Sequence, residues 1–145
     1  MIQRIQSLFL FFVFGIGISG IFLPLADFNS AKIVLSSFGV TGGISISTIP
    51  LIIEIILITL LAFGTIFLFK NRPLQIKLIR FNILLNVVYL VTVFWSVDTI
   101  EKQTNFLPNY LIGAVIPIVS LVLLFLAGRA INKDEKLVKS ADRLR

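Results

Sequence analysis

The chain contains neither cysteine nor histidine. The lack of cysteine excludes disulfides, thiolate metal sites and cysteine nucleophiles. The lack of histidine removes the commonest metal ligand and the side chain best suited to acid–base chemistry near neutral pH. Charge is also scarce, because 14% of the 145 residues are charged, against about 25% in a typical soluble domain. We therefore expect no enzymatic activity, no catalytic residues, and no bound metal or cofactor.

Hydrophobic residues fill most of the chain, at 57% of the sequence. So apolar a chain cannot cover itself with polar groups in water, which indicates a bilayer as its solvent. Four stretches come close to the roughly 20 apolar residues needed to span a membrane, namely 7–26, 48–69, 79–97 and 110–131. Backbone amides in lipid must be hydrogen-bonded internally. The sequence therefore predicts a single all-α domain over 1–145, a four-transmembrane-helix bundle.

Basic residues are distributed unevenly around these four spans. Eleven of the 13 Lys and Arg residues fall in three places. One precedes the first span, four lie where the second span joins the third, and six lie at or after the end of the fourth span, from Arg129 onward. The remaining two, Lys32 and Lys102, lie in the other two loops. Loops rich in Lys and Arg stay in the cytoplasm. We therefore expect a multi-pass membrane protein with both termini cytoplasmic, and we read the net charge of +6 as a topology signal, with no direct nucleic-acid contact.

The first span begins soon after Arg4, as a signal peptide would. Its apolar run is longer than the usual signal-peptide core of about 7–15 residues, so we expect it to be retained. The following loop, 27–47, contains the strand-favouring segments KIVLS and ISIS around glycines. These segments predict a small periplasmic β-hairpin between the first and second helices, with an ordered loop or a short helix as the alternatives.

A glycine-rich segment in the first span, GIGISG, matches the dinucleotide-binding pattern G-x-G-x-x-G. That pattern requires a preceding strand, whereas this segment lies inside an apolar helix. Gly15 and Ser19 stand one helical turn apart, with Gly17 and Gly20 near them. Small residues at this spacing allow close helix packing, so we interpret the segment as a packing surface.

Glu54 is the one acidic residue within a predicted span. Acids inside a membrane are costly and are by default functional candidates. Three interpretations remain open: a hydrogen bond between helices of the chain, a contact with another subunit, or an ion path. In the third span, Asn82, Asn86 and Tyr89 share one helical face. Such groups bond across helices, so we expect this face to point inward or at a partner protein.

The tail, 132–145, is predicted to continue the fourth helix toward the cytoplasm. If it does, its charges are sorted by angle around the helix. One face carries a basic stripe with an apolar strip beside it, and Lys139 pairs with Glu135 at i, i+4. The candidate surface consists of Arg129, Lys133, Lys136, Leu137, Lys139, Ala141, Arg143 and Leu144. It would rest on anionic lipid of the inner leaflet or dock on a protein, with the ribosome as a less favoured partner.

Three segments are similar to a known bacterial family. They are MIQRIQSLFL, FLFKNRPLQIKLIRFNILL and RAINKDEKLVKSADRLR. Together they resemble the family called domain of unknown function 4293, small four-helix inner-membrane proteins, over essentially the whole chain. The resemblance implies a retained first helix, four spans and a cytoplasmic C-terminal end. It implies no activity, cofactor or catalytic residue.

From the residues themselves we expect a non-enzymatic accessory or structural subunit of an inner-membrane complex, with a basic cytoplasmic tail for docking on other membrane subunits. The alternative is a small oligomeric transporter or channel in which Glu54 faces a polar path.

Overall fold

The computed structural model describes residues 2–28, 32–43, 46–69 and 71–142. Within these ranges the chain forms four helices: α1 (Ile2–Phe22), α2 (Ile49–Phe67), α3 (Arg72–Thr104) and α4 (Ile112–Asp142). It also forms four short strands: β1 (Pro24–Phe28), β2 (Ile33–Ser36), β3 (Val40–Thr41) and β4 (Asn109–Tyr110). The expected four helices are confirmed, but the strands make the fold mostly helical and not all-α as predicted.

Local sequence explains several helix ends. Pro24 disfavours helical geometry at the residue before it, and α1 accordingly ends at Phe22. Pro50 and Pro73 lie in the first turns of α2 and α3, where a proline costs no hydrogen bond. At the end of α3, Asn105 adopts a left-handed backbone with φ of 57°, and its N–H donates to the Glu101 carbonyl at 2.7 Å.

The helices form a ring in which α1 contacts α2 and α4, and α3 contacts the same two neighbours. Two apolar clusters fill the bundle. One lies at the end of the bundle that carries the strands, which we call the sheet end, and includes Phe28, Leu35, Ile55 and Val93. The other lies toward the opposite end, which we call the basic end because it carries Arg72, Arg80, Arg129 and Lys133, and its members are Leu10, Val13, Ala62, Ile76, Ile79, Leu124, Ala127 and Ile131.

Three of the helices are long and apolar enough to cross a membrane: Ile49–Phe67, Arg72–Thr104 and the Ile112–Glu135 part of α4. The apolar part of α1, Gln6–Phe22, is shorter. Its predicted span ran to Ala26, but Pro24, Leu25 and Ala26 belong to β1. The first helix therefore ends four residues before the hydrophobic run in the sequence does.

The strands form one antiparallel sheet in the order β3-β2-β1-β4. β2 falls on the predicted KIVLS segment, but Ile46 and Ser47 of the ISIS segment are not in a strand, and residues 44–45 lie outside the described part of the chain. β2 pairs instead with β3, with Val34 opposite Thr41, which forms a hairpin within the 27–47 loop, and on its other edge with β1, with Phe28 opposite Ile33. β4, from the loop between α3 and α4, adds to the other edge of β1. The small sheet thus joins both loops at this end of the bundle.

Candidate functional site: the polar seam between α2 and α3

The seam between α2 and α3 begins with a ladder of buried amides. Asn82 and Asn86 are each 1% exposed. Asn82 Nδ2 donates to the Ile58 carbonyl at 3.0 Å, and Asn86 Nδ2 donates to the Asn82 carbonyl at 3.0 Å and to Asn82 Oδ1 at 3.1 Å. The predicted polar face of the third span therefore points into the bundle, where it ties α3 to the backbone of α2.

Tyr89 continues this face one turn further along α3 and is also buried. Its hydroxyl lies 2.8 Å from Ser37 Oγ, and Ser37 Oγ donates to the Gly20 carbonyl at 3.2 Å. Ser37 has a single hydroxyl hydrogen, so the Tyr89 hydroxyl is the donor in the shared bond. This chain of hydrogen bonds connects α3, the segment after β2, and the end of α1.

Glu54 lies on the flank of α2 that faces α3, and its side chain is half-buried. Thr92 Oγ1 donates to Glu54 Oε1 at 3.1 Å and also lies 3.0 Å from the Val88 carbonyl, so one hydroxyl hydrogen is shared between two acceptors. Glu54 Oε2 is enclosed and has no hydrogen-bond partner in the described part of the chain. An enclosed, unpaired carboxyl oxygen is costly, which makes Glu54 the most unusual polar group of the seam.

A surface groove of about 360 Å³ runs along the seam on the sheet-end side. Thr92 belongs both to this groove and to the hydrogen bond with Glu54. The groove combines hydroxyl side chains with apolar ones, and Trp95 at its rim is 73% exposed. The lining residues are Ile46, Ser47, Pro50, Val91, Thr92, Trp95, Ser96 and Thr99. We call this surface the α2–α3 groove.

The small residues of α1 divide into two faces. A Cβ built on Gly17 would overlap Thr59 Oγ1, and one built on Gly20 would lie 2.7 Å from Ile55 Cδ1. In contrast, a Cβ on Gly15 would meet none of the described residues within 4 Å, and Ser19 is exposed and donates to the Gly15 carbonyl of its own helix. The close packing against α2 within this chain is therefore made by Gly17 and Gly20, and not by the predicted Gly15 and Ser19.

At the basic end, α4 continues as a helix to Asp142. Arg129 and Lys133 are exposed. Asp134 forms an ion pair of 2.9 Å with Arg72, the first residue of α3. The side chains of Lys136, Leu137, Lys139 and Ala141 lie outside the described part of the structure, as do Arg143 and Leu144 entirely.

Comparison with known proteins adds one finding. The family described as "Domain of unknown function (DUF4293)" matches residues 2–144. The chain belongs to this family. The resemblance noted in the sequence is thereby confirmed across nearly the whole length of the DUF4293 chain. No curated protein and no solved structure matches it.

The seam of this DUF4293 chain contains two contacts that sequence reasoning missed. Thr92, the donor to Glu54, lies three residues after Tyr89 in α3, and its helical position beside the amide face was a usable signal. Ser37, the partner of Tyr89, had no such signal because it lies 52 residues away in an irregular segment. Among the described residues, no group of three or more acidic side chains is placed to hold a metal ion.

Proposed function

We propose that the chain is a non-enzymatic accessory subunit of a protein complex in the bacterial inner membrane. The observation that carries this proposal is the half-buried Glu54, which accepts a hydrogen bond from Thr92, a residue that lines the α2–α3 groove. A carboxyl group at this depth is costly in lipid, and one of its oxygens has no partner among the described residues. A helix of another subunit lying in the groove would cover Glu54 and supply a hydrogen-bond donor after a rotation of its side chain.

The hydroxyl groups of the groove favour the same interpretation. Ser96 Oγ donates to the Thr92 carbonyl at 2.8 Å and Thr99 Oγ1 to the Trp95 carbonyl at 2.8 Å. Their hydrogens are thus used within α3, while their oxygens retain lone pairs that accept further bonds. A partner helix that presents donors, such as amide or hydroxyl side chains, would complement this surface. Bonds of this kind between membrane helices contribute about 0.6–2 kcal/mol each.

The proposed membrane placement has four spans, with both termini in the cytoplasm. The four antiparallel helices bring Arg72, Arg80 and Arg129 to one end, and basic residues favour the cytoplasmic side. Because the chain has no natural cysteine, single cysteines test this placement cleanly. In intact cells, Lys102→Cys should react with a membrane-impermeant maleimide, whereas Lys133→Cys should react only after permeabilisation. The opposite pattern would contradict the placement.

The accessory role is tested by co-purification from cells at native expression level, in mild detergent, with native mass spectrometry. The wild-type chain should run with a partner of defined mass. Glu54→Leu should lose that partner and still fold, since leucine removes the unpaired polar group. Ser19→Ala, an exposed position on α1, should leave the complex intact. A wild-type chain that runs only as a free monomer would contradict the proposal.

The tail is the second surface that we propose for docking in this complex. Arg129 and Lys133 are exposed on a helix that continues to Asp142, which gives a partner a rigid basic surface. Truncation after Asn132 should weaken co-purification with the same partner while leaving the bundle folded. Unchanged recovery of the partner would show that the tail is not needed for docking.

A second candidate function is proton- or cation-coupled transport by an oligomer. The enclosed Oε2 atom of Glu54 favours it, because a carboxyl oxygen without a partner is a suitable place for a proton or cation. Glu54→Gln separates the two functions. Glutamine keeps the hydrogen-bonding capacity that a helix contact needs, so the complex should survive, whereas proton-coupled flux into liposomes should be abolished. Unchanged flux would eliminate the transport function.

A further inference from the structure

A groove between α3 and α4 at the basic end has walls of two different kinds. It has a volume of about 250 Å³. Arg80, Arg129 and Asn132 form its polar part, and Ile79, Ile83 and Phe125 are among the side chains of its apolar wall. A second hollow of about 460 Å³ adjoins it, because Arg129 and Asn132 line both, and extends it to Lys133. We call the first of these the α3–α4 groove.

The two arginines stand at the same height on neighbouring helices. A Cβ built on Gly128 would lie 3.6 Å from Ile79 Cγ2, so these two residues are level. Arg80 and Arg129 directly follow them along the chain, on helices that run in opposite directions. Their positions therefore differ by only about 3 Å along the bundle axis, at about 1.5 Å per residue.

The same height corresponds to the boundary of the apolar region. The uncharged stretch Ile112–Gly128 of α4 is about 25 Å long, close to the roughly 30 Å of a hydrocarbon core. In a membrane, Arg80 and Arg129 would thus lie at the level of lipid phosphates, with the apolar wall of the groove at the level of the acyl chains.

Charge distinguishes these arginines from the nearby Arg72. Arg72 is neutralised by Asp134 at 2.9 Å, whereas Arg80 and Arg129 have no ion-pair partner in the ranges that the structure describes. No acidic side chain is found among the described residues that line either hollow. The groove therefore presents two unneutralised guanidinium groups, the side chains best matched to phosphate oxygens.

We propose that the α3–α4 groove is a binding site for one anionic phospholipid, with its phosphate between Arg80 and Arg129 and an acyl chain against the apolar wall. A free phosphate would use only the polar part of the groove. A zwitterionic lipid would bring the positive charge of its own headgroup toward the two arginines. An anionic phospholipid matches both parts. The inference rests on the membrane placement but not on the accessory role, so its test uses the purified chain alone.

The test is native mass spectrometry of the purified chain in detergent, titrated with phosphatidylglycerol or with phosphatidylcholine of identical acyl chains. We expect phosphatidylglycerol to bind more tightly. Arg80→Gln/Arg129→Gln should weaken its binding by about tenfold or more, since each basic residue near an anionic lipid contributes up to about fivefold in affinity. Lys77→Gln/Lys102→Gln removes the same charge outside the groove and should change binding by less than about twofold.

A second variant tests the groove and not the charge. Gly128→Leu keeps both arginines and fills the space beside Ile79, and leucine favours the helix, so the variant should fold and lose most of the bound lipid. Equal binding of both lipids, equal losses in the two double variants, or full binding by Gly128→Leu would overturn the proposal. Displacement of the lipid by millimolar inorganic phosphate would overturn it too, in favour of a soluble-anion site.

Discussion

The hydroxyl groups of Ser37 and Tyr89 lie 2.8 Å apart, and both side chains are buried. Ser37 belongs to the turn after β2, while Tyr89 lies in the middle of α3. Because Ser37 also donates to the Gly20 carbonyl at 3.2 Å, one small side chain links three parts of the chain. The strands are thus anchored in the bundle by a polar contact as well as by the apolar cluster around Phe28 and Leu35.

The direction of these bonds predicts unequal effects of removing either hydroxyl. Tyr89→Phe removes one donor and leaves the Ser37–Gly20 bond, so it should lower the free energy of unfolding by about 0.5–1.5 kcal/mol. Ser37→Ala leaves both the buried Tyr89 hydroxyl and the Gly20 carbonyl without this partner, and should cost about 1–3 kcal/mol. Denaturation in detergent, followed by circular dichroism, gives both values.

The control for this pair is Tyr110→Phe, because Tyr110 is an exposed tyrosine at the sheet end. It should change stability by less than about 0.5 kcal/mol. If Tyr89→Phe proved more damaging than Ser37→Ala, the direction of donation inferred for this network would be wrong.

The amide ladder predicts a second ordering. Asn82 gives a donor to Ile58 and an acceptor to Asn86, whereas Asn86 provides only the donor at the end of the ladder. Asn82→Leu should therefore destabilise the chain more than Asn86→Leu, by up to about 2 kcal/mol against about 0.6 kcal/mol for an average membrane hydrogen bond. Melting temperatures in one detergent compare them directly, and equal losses would contradict the ladder.

Three glycine-to-alanine substitutions should form a graded series. At Gly113 the new Cβ would overlap the Pro24 carbonyl, a backbone atom that moves only if β1 moves, so this variant should be the most damaging. At Gly17 it would overlap the Thr59 hydroxyl, which is a side-chain atom hydrogen-bonded to Ile55 and displaced at an intermediate cost. Overpacking of this kind costs about 1–3 kcal/mol.

Gly15→Ala is the matched control for that series, since its new Cβ would meet no atom within 4 Å in the part of the chain that the structure describes. It should leave stability unchanged or raise it by up to about 1 kcal/mol through helix propensity. Melting in detergent, with yield of folded protein as a second measurement, ranks the three. A loss at Gly15 equal to that at Gly17 would instead indicate that the exposed face of α1 packs against a second chain.

Periodic features of the molecule were predictable because they depend only on neighbouring residues. Asn82, Asn86 and Tyr89 share a helical face by spacing alone, and the structure places all three inside the bundle. The four helices follow in the same way from the apolar runs. The spacing of small residues in α1, however, left the choice between Gly15 and Gly17 open, because that choice depends on where α2 lies.

Pairings between distant segments carried no such local signal. β4 contains two residues, which pair with Ala26 and Asp27 more than 80 positions earlier, and neither segment alternates long enough to indicate a strand. The end of α1 was different, since Pro24 marks it in the sequence and the apolar run through Ala26 obscured it. The contact of Arg72 with Asp134 also arises only when α3 and α4 are brought together.

That ion pair supports the last prediction. Its side chains are only 23% and 14% exposed, so replacing Asp134 by lysine would place two like charges together where water screens them poorly. Asp134→Lys should cost about 1–3 kcal/mol, less than the loss of a fully buried pair, and Arg72→Glu/Asp134→Lys should recover most of it. The Lys102–Asp98 pair supplies the control, because its side chains are 75% and 57% exposed. Asp98→Lys should therefore cost clearly less stability than Asp134→Lys. Thermal melting measures stability, and protease cleavage of α4 after Lys133 reports whether the pair holds this helix against α3. Failure of the charge swap to restore either property would mean that the two residues do not act as a pair.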